Sequence, residues 1–315
     1  MIHTPLCDLL GLEYPIFQGG MAWIADGALA AAVSEAGGLG IIAGGNAPGE
    51  YVREQIRIAR SRTGRPFGVN IMLLSPYVDE VAQVAAEEKV AVVTTGAGNP
   101  SRYMELWQGA GIRVIPVVAS VAMAKLMARE GASALVAEGG ESGGHVGELT
   151  TMVLVPQVVD AVDIPVIAAG GIADGRGIAA SLMLGAVGVQ VGTRFLVARE
   201  CSVHPNYKEK VLRATDLSTI TTGKRLGHPV RSLKTPFSRA YAKAEYDSAV
   251  TDEALEAMGT GALRLAAQEG DLKNGCFPAG QCAGMVQKEQ TAREIISEMF
   301  REAEPLLKGA GQWVK

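Results

Sequence analysis

The feature that most constrains this chain is a rhythm of short β-branched runs. Eight of them recur at intervals of about 20–30 residues: Tyr14–Gln18, Leu39–Ala43, Phe67–Leu73, Val90–Thr94, Arg113–Val118, Ala134–Glu138, Pro165–Ala169 and Val187–Val191. Such continuous apolar runs read as strands buried on both faces, which is the signature of a parallel sheet. Helical patterns separate them. Asp26 and Ser120 stand where helix caps belong, and Ser75-Pro76 and Asn99-Pro100 read as cap-then-proline starts. Strand and helix alternating eight times point to an α/β chain closed as a (β/α)8 barrel. An open doubly wound sheet would carry a G-x-G-x-x-G turn after its first strand, and none follows Gln18.

The last repeat, Ile164 to Phe195, is the most informative. Gly170-Gly171 ends one strand and Gly192-Thr193 ends the next, with a helix between them that Asp174 caps and Gly185 stops. Glycine lets backbone N–H groups approach an anion closely, and barrels often hold phosphate at the loops after strands 7 and 8. Tight barrel turns are the plain alternative.

After Phe195 the rhythm breaks. Residues 201–285 show helical patterns without clear strands and read as a smaller, mainly helical cap. Residues 1–200 form the barrel domain, completed by 286–315, in which an amphipathic helix over about Thr291–Leu307 packs back on it. The segment Lys224–Lys243 carries Lys224, Arg225, Arg231, Lys234, Arg239 and Lys243 and no acid. A solvated face is the plain reading of such a run.

With 315 residues, 48% of them hydrophobic, the chain can fill a barrel core. A net charge of −4 speaks against a nucleic-acid partner. The first twelve residues lack a basic start followed by an apolar stretch, and no apolar run reaches membrane-spanning length. No membrane partner and a cytoplasmic location are expected. Cys7, Cys201, Cys276 and Cys282 are scattered and are expected to be reduced thiols.

Catalytic groups in this fold sit at strand C-termini. The polar residues at those places are Gln18, Asn70, Thr94, Glu138 and His145. The loop EGGESGGHVGELTT, Glu138–Thr151, holds five glycines and the one histidine of the expected barrel mouth. Glycines admit a planar ligand, and an imidazole exchanges protons near neutrality. Each residue also has a plain role: a hydrogen-bonded loop histidine, a salt-bridged Glu138, an Asn70 that satisfies backbone inside the barrel. His3, His204 and His228 lie away from the mouth and receive no catalytic role. No His/Asp/Glu spacing fits a metal, and none is assigned.

The runs YPIFQGGMAW, AVSEAGGLGIIAGGNAP, PFGVNIMLLSP, VVTTGAGNP, AEGGESGGHVGELTT, PVIAAGGIADGRG and VGTRF, in this order, resemble the bacterial FMN-dependent enoyl-acyl-carrier-protein reductases of the nitronate monooxygenase-like superfamily. The likeness continues through HPNYKEK and GHPVR to AGQCAG. It implies reduction of the trans-2 double bond of an enoyl thioester, with FMN at the barrel mouth and NADPH or NADH as reductant. Gly170, Gly171, Gly192 and Thr193 would hold the FMN phosphate. Gly20, Met21, Ala22, Asn70 and Glu138 would line the flavin and ribityl chain. Thr94, Gly143, Gly144, Ala169 and Gln190 complete the expected cofactor set, and Gln281, Ala283 and Gly284 would close over it. His145 matches the family's active-site histidine. The resemblance further implies a homodimer, an acyl carrier protein as partner and stimulation by a monovalent cation. Lys224, Arg225, Arg231 and Lys234 would meet nicotinamide-cofactor phosphates or the carrier. Two departures stand out: Gly140, where a larger residue is expected, and Cys282. The rival within the superfamily is a nitronate monooxygenase, which uses oxygen and no nicotinamide cofactor.

Overall fold

A computed structural model describes residues 1–313. Its eight long strands are β1 (Ile16–Gln18), β2 (Gly40–Ala43), β3 (Phe67–Met72), β4 (Val92–Gly96), β5 (Arg113–Val118), β6 (Leu135–Glu138), β8 (Val166–Ala169) and β9 (Gly188–Val191). All pair in parallel, in the order β1-β9-β8-β6-β5-β4-β3-β2. The ring closes between β1 and β2 just ahead of β2. There Gln18 N donates to Leu39 O at 2.9 Å and Leu39 N to Ile16 O at 2.8 Å. The result is the (β/α)8 barrel expected from the rhythm.

Gln18 acquires a structural task at this seam. Its fully buried side chain donates to Ile41 O and accepts from Ile41 N, both at 3.2 Å, so a side-chain amide continues the ladder where backbone pairing stops.

The outer ring is α2 (Gly27–Glu35), α3 (Gly49–Arg62), α4 (Val78–Glu87), α5 (Ser101–Gly109), α6 (Val121–Arg129), α7 (Thr151–Val159) and α8 (Gly175–Met183), with α1 (Pro5–Leu10) ahead of the barrel. Asp26, Ser120 and Asp174 cap α2, α6 and α8 through their side chains. Ser75 and Asn99 each form a turn two residues long, and their helices start later, at Val78 and Ser101.

The chain leaves the barrel at Ala198 and returns beside it at Gln290. Between lie α9 (Pro205–Leu212), β10 (Thr219–Thr222), β11 (Val230–Leu233), α10 (Pro236–Glu245), α11 (Asp252–Gly259) and the short α12 (Ala262–Arg264). The expectation of helix without strands fails here. β10 and β11 form an antiparallel hairpin, and a two-residue strand of the glycine-rich loop, β7 (Gly144–His145), joins it as the third strand. The last helix, α13 (Ala292–Lys308), starts at a Thr291–Glu294 capping box and packs on α8. Among the described residues no helix is long and apolar enough to cross a membrane.

Candidate active site

Strand register sets the floor of the mouth. It places Ala43, Asn70, Thr94 and Ile115 at one level, and Glu138, Ala169, Gln190 and Phe17 at another. Thr94, Ala169 and Gln190 are buried, whereas Asn70 and Glu138 keep open surface. Asn70 Nδ2 donates to Thr94 Oγ1 at 2.9 Å. The loop after β1 crosses this floor at Gly20, where a Cβ would lie 2.3 Å from Asn70 Cβ. No side chain fits there. Met21, Ala22 and Trp23 follow it along the rim, each partly open. Trp23 holds a left-handed φ of 63°, with the Arg264 guanidinium 5.2 Å above its ring.

The two glycine turns stand side by side, because β8 and β9 are neighbours. Gly170 and Gly171 have φ of 99° and 73°. Among the described residues no protein acceptor takes the N–H groups of Gly170, Gly171, Gly192 or Thr193. Unpaired backbone donors grouped at the end of a parallel sheet suit an anion, since each otherwise lacks a partner. Thr193 Oγ1 is engaged elsewhere and accepts from Gly280 N at 2.9 Å.

The glycine-rich loop is tied down along its whole length. Gly139 N donates to Ala169 O at 2.9 Å. The Glu141 carboxylate accepts from Thr151 N and Oγ1, at 2.9 Å and 3.0 Å, and so caps α7, where the side chain of Thr150 makes no cap bond. Gln281 N donates to Glu141 O at 2.9 Å, and Arg231 Nη2 donates to Gly140 O at 2.9 Å. Gly143 packs on Ala279. The last tie comes from the hairpin: His145 pairs with Val230 and Gly144 with Arg231. The loop's histidine is thus carried on a small sheet, although its side chain remains exposed.

Although solvent reaches the residue, the partial burial it does have lowers the pKa of the His145 ring, with nearby His228 adding like-charge repulsion. A neutral imidazole is therefore favoured at pH 7. His228, given no role from sequence, belongs beside the site. Glu138 moves the other way: burial at the barrel mouth pushes its carboxyl up to about 7. The Ser142 hydroxyl opposes this only weakly, and its oxygen finds no well-formed hydrogen bond. Cys282 is inert at neutral pH, because burial pushes its thiol up to about 11.

Other expected site residues are placed less centrally. Ala283 is wholly buried in the core, Gly284 packs against Thr215 and Asp216, and Gln281 is exposed above the loop. In the basic segment, Arg225 pairs with Asp252 at 2.8 Å and Arg231 holds the loop. Lys224 and Lys234 are exposed. Glu141 and the Trp23–Arg264 contact were not foreseen. Glu141 resembles any loop acid in the sequence, and Arg264 lies far along the chain from its aromatic partner.

Glu138 yields a stability prediction. Its folded pKa exceeds the ordinary 4.5, so the folded state holds an extra proton between pH 4.5 and about 7. Stability of the cofactor-free protein should fall as pH rises through that window. Glu138→Gln should remove this slope and add on the order of 2 kcal/mol at pH 8, after allowance for the residue's partial exposure. Urea melts at pH 5 and pH 8 check this, and parallel losses in both proteins would contradict it.

Residues 3–88 and 75–302 match the nitronate monooxygenase family. A structure of FabK from Thermotoga maritima superposes with a TM-score of 0.97, at 48% identity and with 100% of both chains covered. A probable nitronate monooxygenase of Staphylococcus saprophyticus is 31% identical, covering 97% of this chain and 99% of that one. The (3aS,4S,5R,7aS)-5-hydroxy-7a-methyl-1-oxo-octahydro-1H-indene-4-carboxyl-CoA dehydrogenase of Mycobacterium tuberculosis is 32% identical, covering 96% of each. This chain, a barrel with its mouth built from glycine turns, belongs to the nitronate monooxygenase family of FMN-dependent oxidoreductases.

Proposed function

We propose that the protein reduces the trans-2 double bond of enoyl thioesters on an acyl carrier protein, with NADPH or NADH as electron source. The observation that carries the reading is the 48% identity to FabK across 100% of both chains, which includes the hairpin that holds His145. The residues present fit FMN. The unpaired N–H groups of Gly170, Gly171, Gly192 and Thr193 suit its phosphate, and side-chain-free Gly20 leaves room for a planar ring. Asn70 and Glu138 would meet the ribityl and ring edge.

When bound, FMN would supply the hydride chemistry that links the nicotinamide to the substrate β-carbon. The rest falls to the chain. Hydride addition at the β-carbon places negative charge on the thioester oxygen, and the α-carbon then takes a proton from solvent, which restores the neutral thioester. Neutral His145 donates an N–H hydrogen bond to that oxygen and lowers the cost of the enolate. The glycine-rich loop leaves space for nicotinamide and thioester in turn, which gives ping-pong kinetics. The hairpin fixes the histidine against both.

Steady-state assays under nitrogen test the proposal. The purified protein should oxidise NADPH or NADH only when a short enoyl thioester is present. The second reading, favoured by the family match itself, is nitronate oxidation. Oxygen uptake on an alkyl nitronate without nicotinamide, combined with no thioester turnover, would establish it instead.

A further inference from the structure

Behind the hairpin, helix α9, the turn before β10 and the start of α10 enclose a groove of about 540 Å³. Three cations converge on it from three elements: Lys210 on α9, Lys234 just after β11, and Arg239 on α10. None of the three pairs with a carboxylate among the described residues, whereas Arg213 on the rim is held by Glu209 at 2.5 Å. Lys210 is half-buried, and burial followed by the like charge of Arg239 lowers its pKa. The chain as a whole carries −4, so this is a local concentration of unneutralised positive charge.

Three leucines stand among the polar residues of the groove. Leu233 is buried in its wall, while Leu217 and Leu272 are 73% and 47% exposed. Leucines of that exposure beside fixed cations match a surface that presents acids around an apolar side chain. A nucleotide would find little to hold its ring, since no aromatic side chain lines the groove. β11 links this surface to the chemistry. Its first residue, Val230, pairs with His145, and its last, Leu233, forms part of the groove, about 10 Å further along the strand.

The geometry points to this groove as the docking surface for an acidic amphipathic helix of the carrier protein that delivers the enoyl thioester. The inference rests on the reductase reading and names the place where its partner binds. Lys210, Lys234 and Arg239 meet the carboxylates, and Leu217 and Leu272 meet the apolar residue between them.

The test compares two substrates of the FMN-loaded enzyme: an enoyl group on acyl carrier protein, and the same group on N-acetylcysteamine. Arg239→Glu and Lys210→Glu should each raise KM for the carrier substrate about tenfold, and shift KM for the small thioester less than about twofold. The difference should shrink towards about 0.5 M salt, where exposed charges are screened. Arg239 is exposed, so its reversal leaves packing intact. Thermal melts control for Lys210, whose ammonium lies 6.0 Å from the Phe277 ring. Equal changes for both thioesters, no change for either, or a rise in KM confined to NADPH or NADH would overturn the assignment. If the unaltered enzyme reduces neither thioester, the reductase reading fails first and takes the docking surface with it.

Discussion

Replacing His145 with alanine is expected to leave FMN bound and to lower kcat/KM for an enoyl thioester by about 10²- to 10³-fold. Binding should survive because the phosphate donors come from Gly170–Gly171 and Gly192–Thr193, on strands that do not depend on this side chain. His145 is held by backbone pairing to Val230, so the loop keeps its path when the imidazole is removed. His145→Gln separates two roles. A glutamine N–H can still donate to the thioester oxygen but cannot transfer a proton, so recovery of a tenth or more of activity, about 1.4 kcal/mol from the full rate, marks hydrogen bonding as the main contribution. The pH profile adds a sign. Burial and His228 favour the neutral ring, and protonation would strengthen its N–H donor, so any histidine-dependent rise of rate in acid should appear only below the ordinary imidazole range. That rise should be absent from the glutamine variant. Full activity in His145→Ala removes the residue from the mechanism.

Gly20→Ala is expected to strip the protein of flavin. The new Cβ would lie 2.3 Å from Asn70 Cβ and 2.8 Å from Asn70 Cγ, closer than carbon atoms approach. Either the rim loop lifts or Asn70 turns away from Thr94, and both disturb the floor on which the ring would rest. Overpacking of this kind costs about 1–3 kcal/mol, which corresponds to a rise in the FMN dissociation constant of roughly 5- to 150-fold. Flavin absorbance per protein after dialysis reads it directly. Gly64→Ala is the control, because nothing lies within 4 Å of its added Cβ. Equal flavin content in both variants would mean that the loop after β1 does not border the cofactor.

The barrel was legible because its strands are buried on both faces and therefore appear as unbroken apolar runs, such as Val166–Ala169. The adjacent glycine turns were legible because two Gly-ended strands follow each other in sequence. The hairpin was not. β10 and β11 are four residues each, TITT and VRSL, and β7 is only Gly144–His145. These segments lack the unbroken apolar run of a barrel strand, and β7 exists only through pairing with a strand distant in sequence, which periodicity cannot register. Separation along the chain also hid the roles of single residues. Gln18 reads as a candidate at a strand end, yet its amide closes the barrel seam. Arg231 reads as a surface cation, yet it fixes Gly140. In both cases the side chain answers a backbone group that only the folded chain brings within reach.

An enoyl reductase of this kind passes electrons from a nicotinamide to an enoyl thioester through one site. An anaerobic titration of the purified protein, followed by flavin absorbance, separates the two half-reactions. NADPH or NADH should bleach the flavin band, and one equivalent of a short enoyl thioester should then restore it, with each half-reaction complete on its own. A band that neither nicotinamide bleaches, or that stays bleached when the thioester is added, contradicts the account.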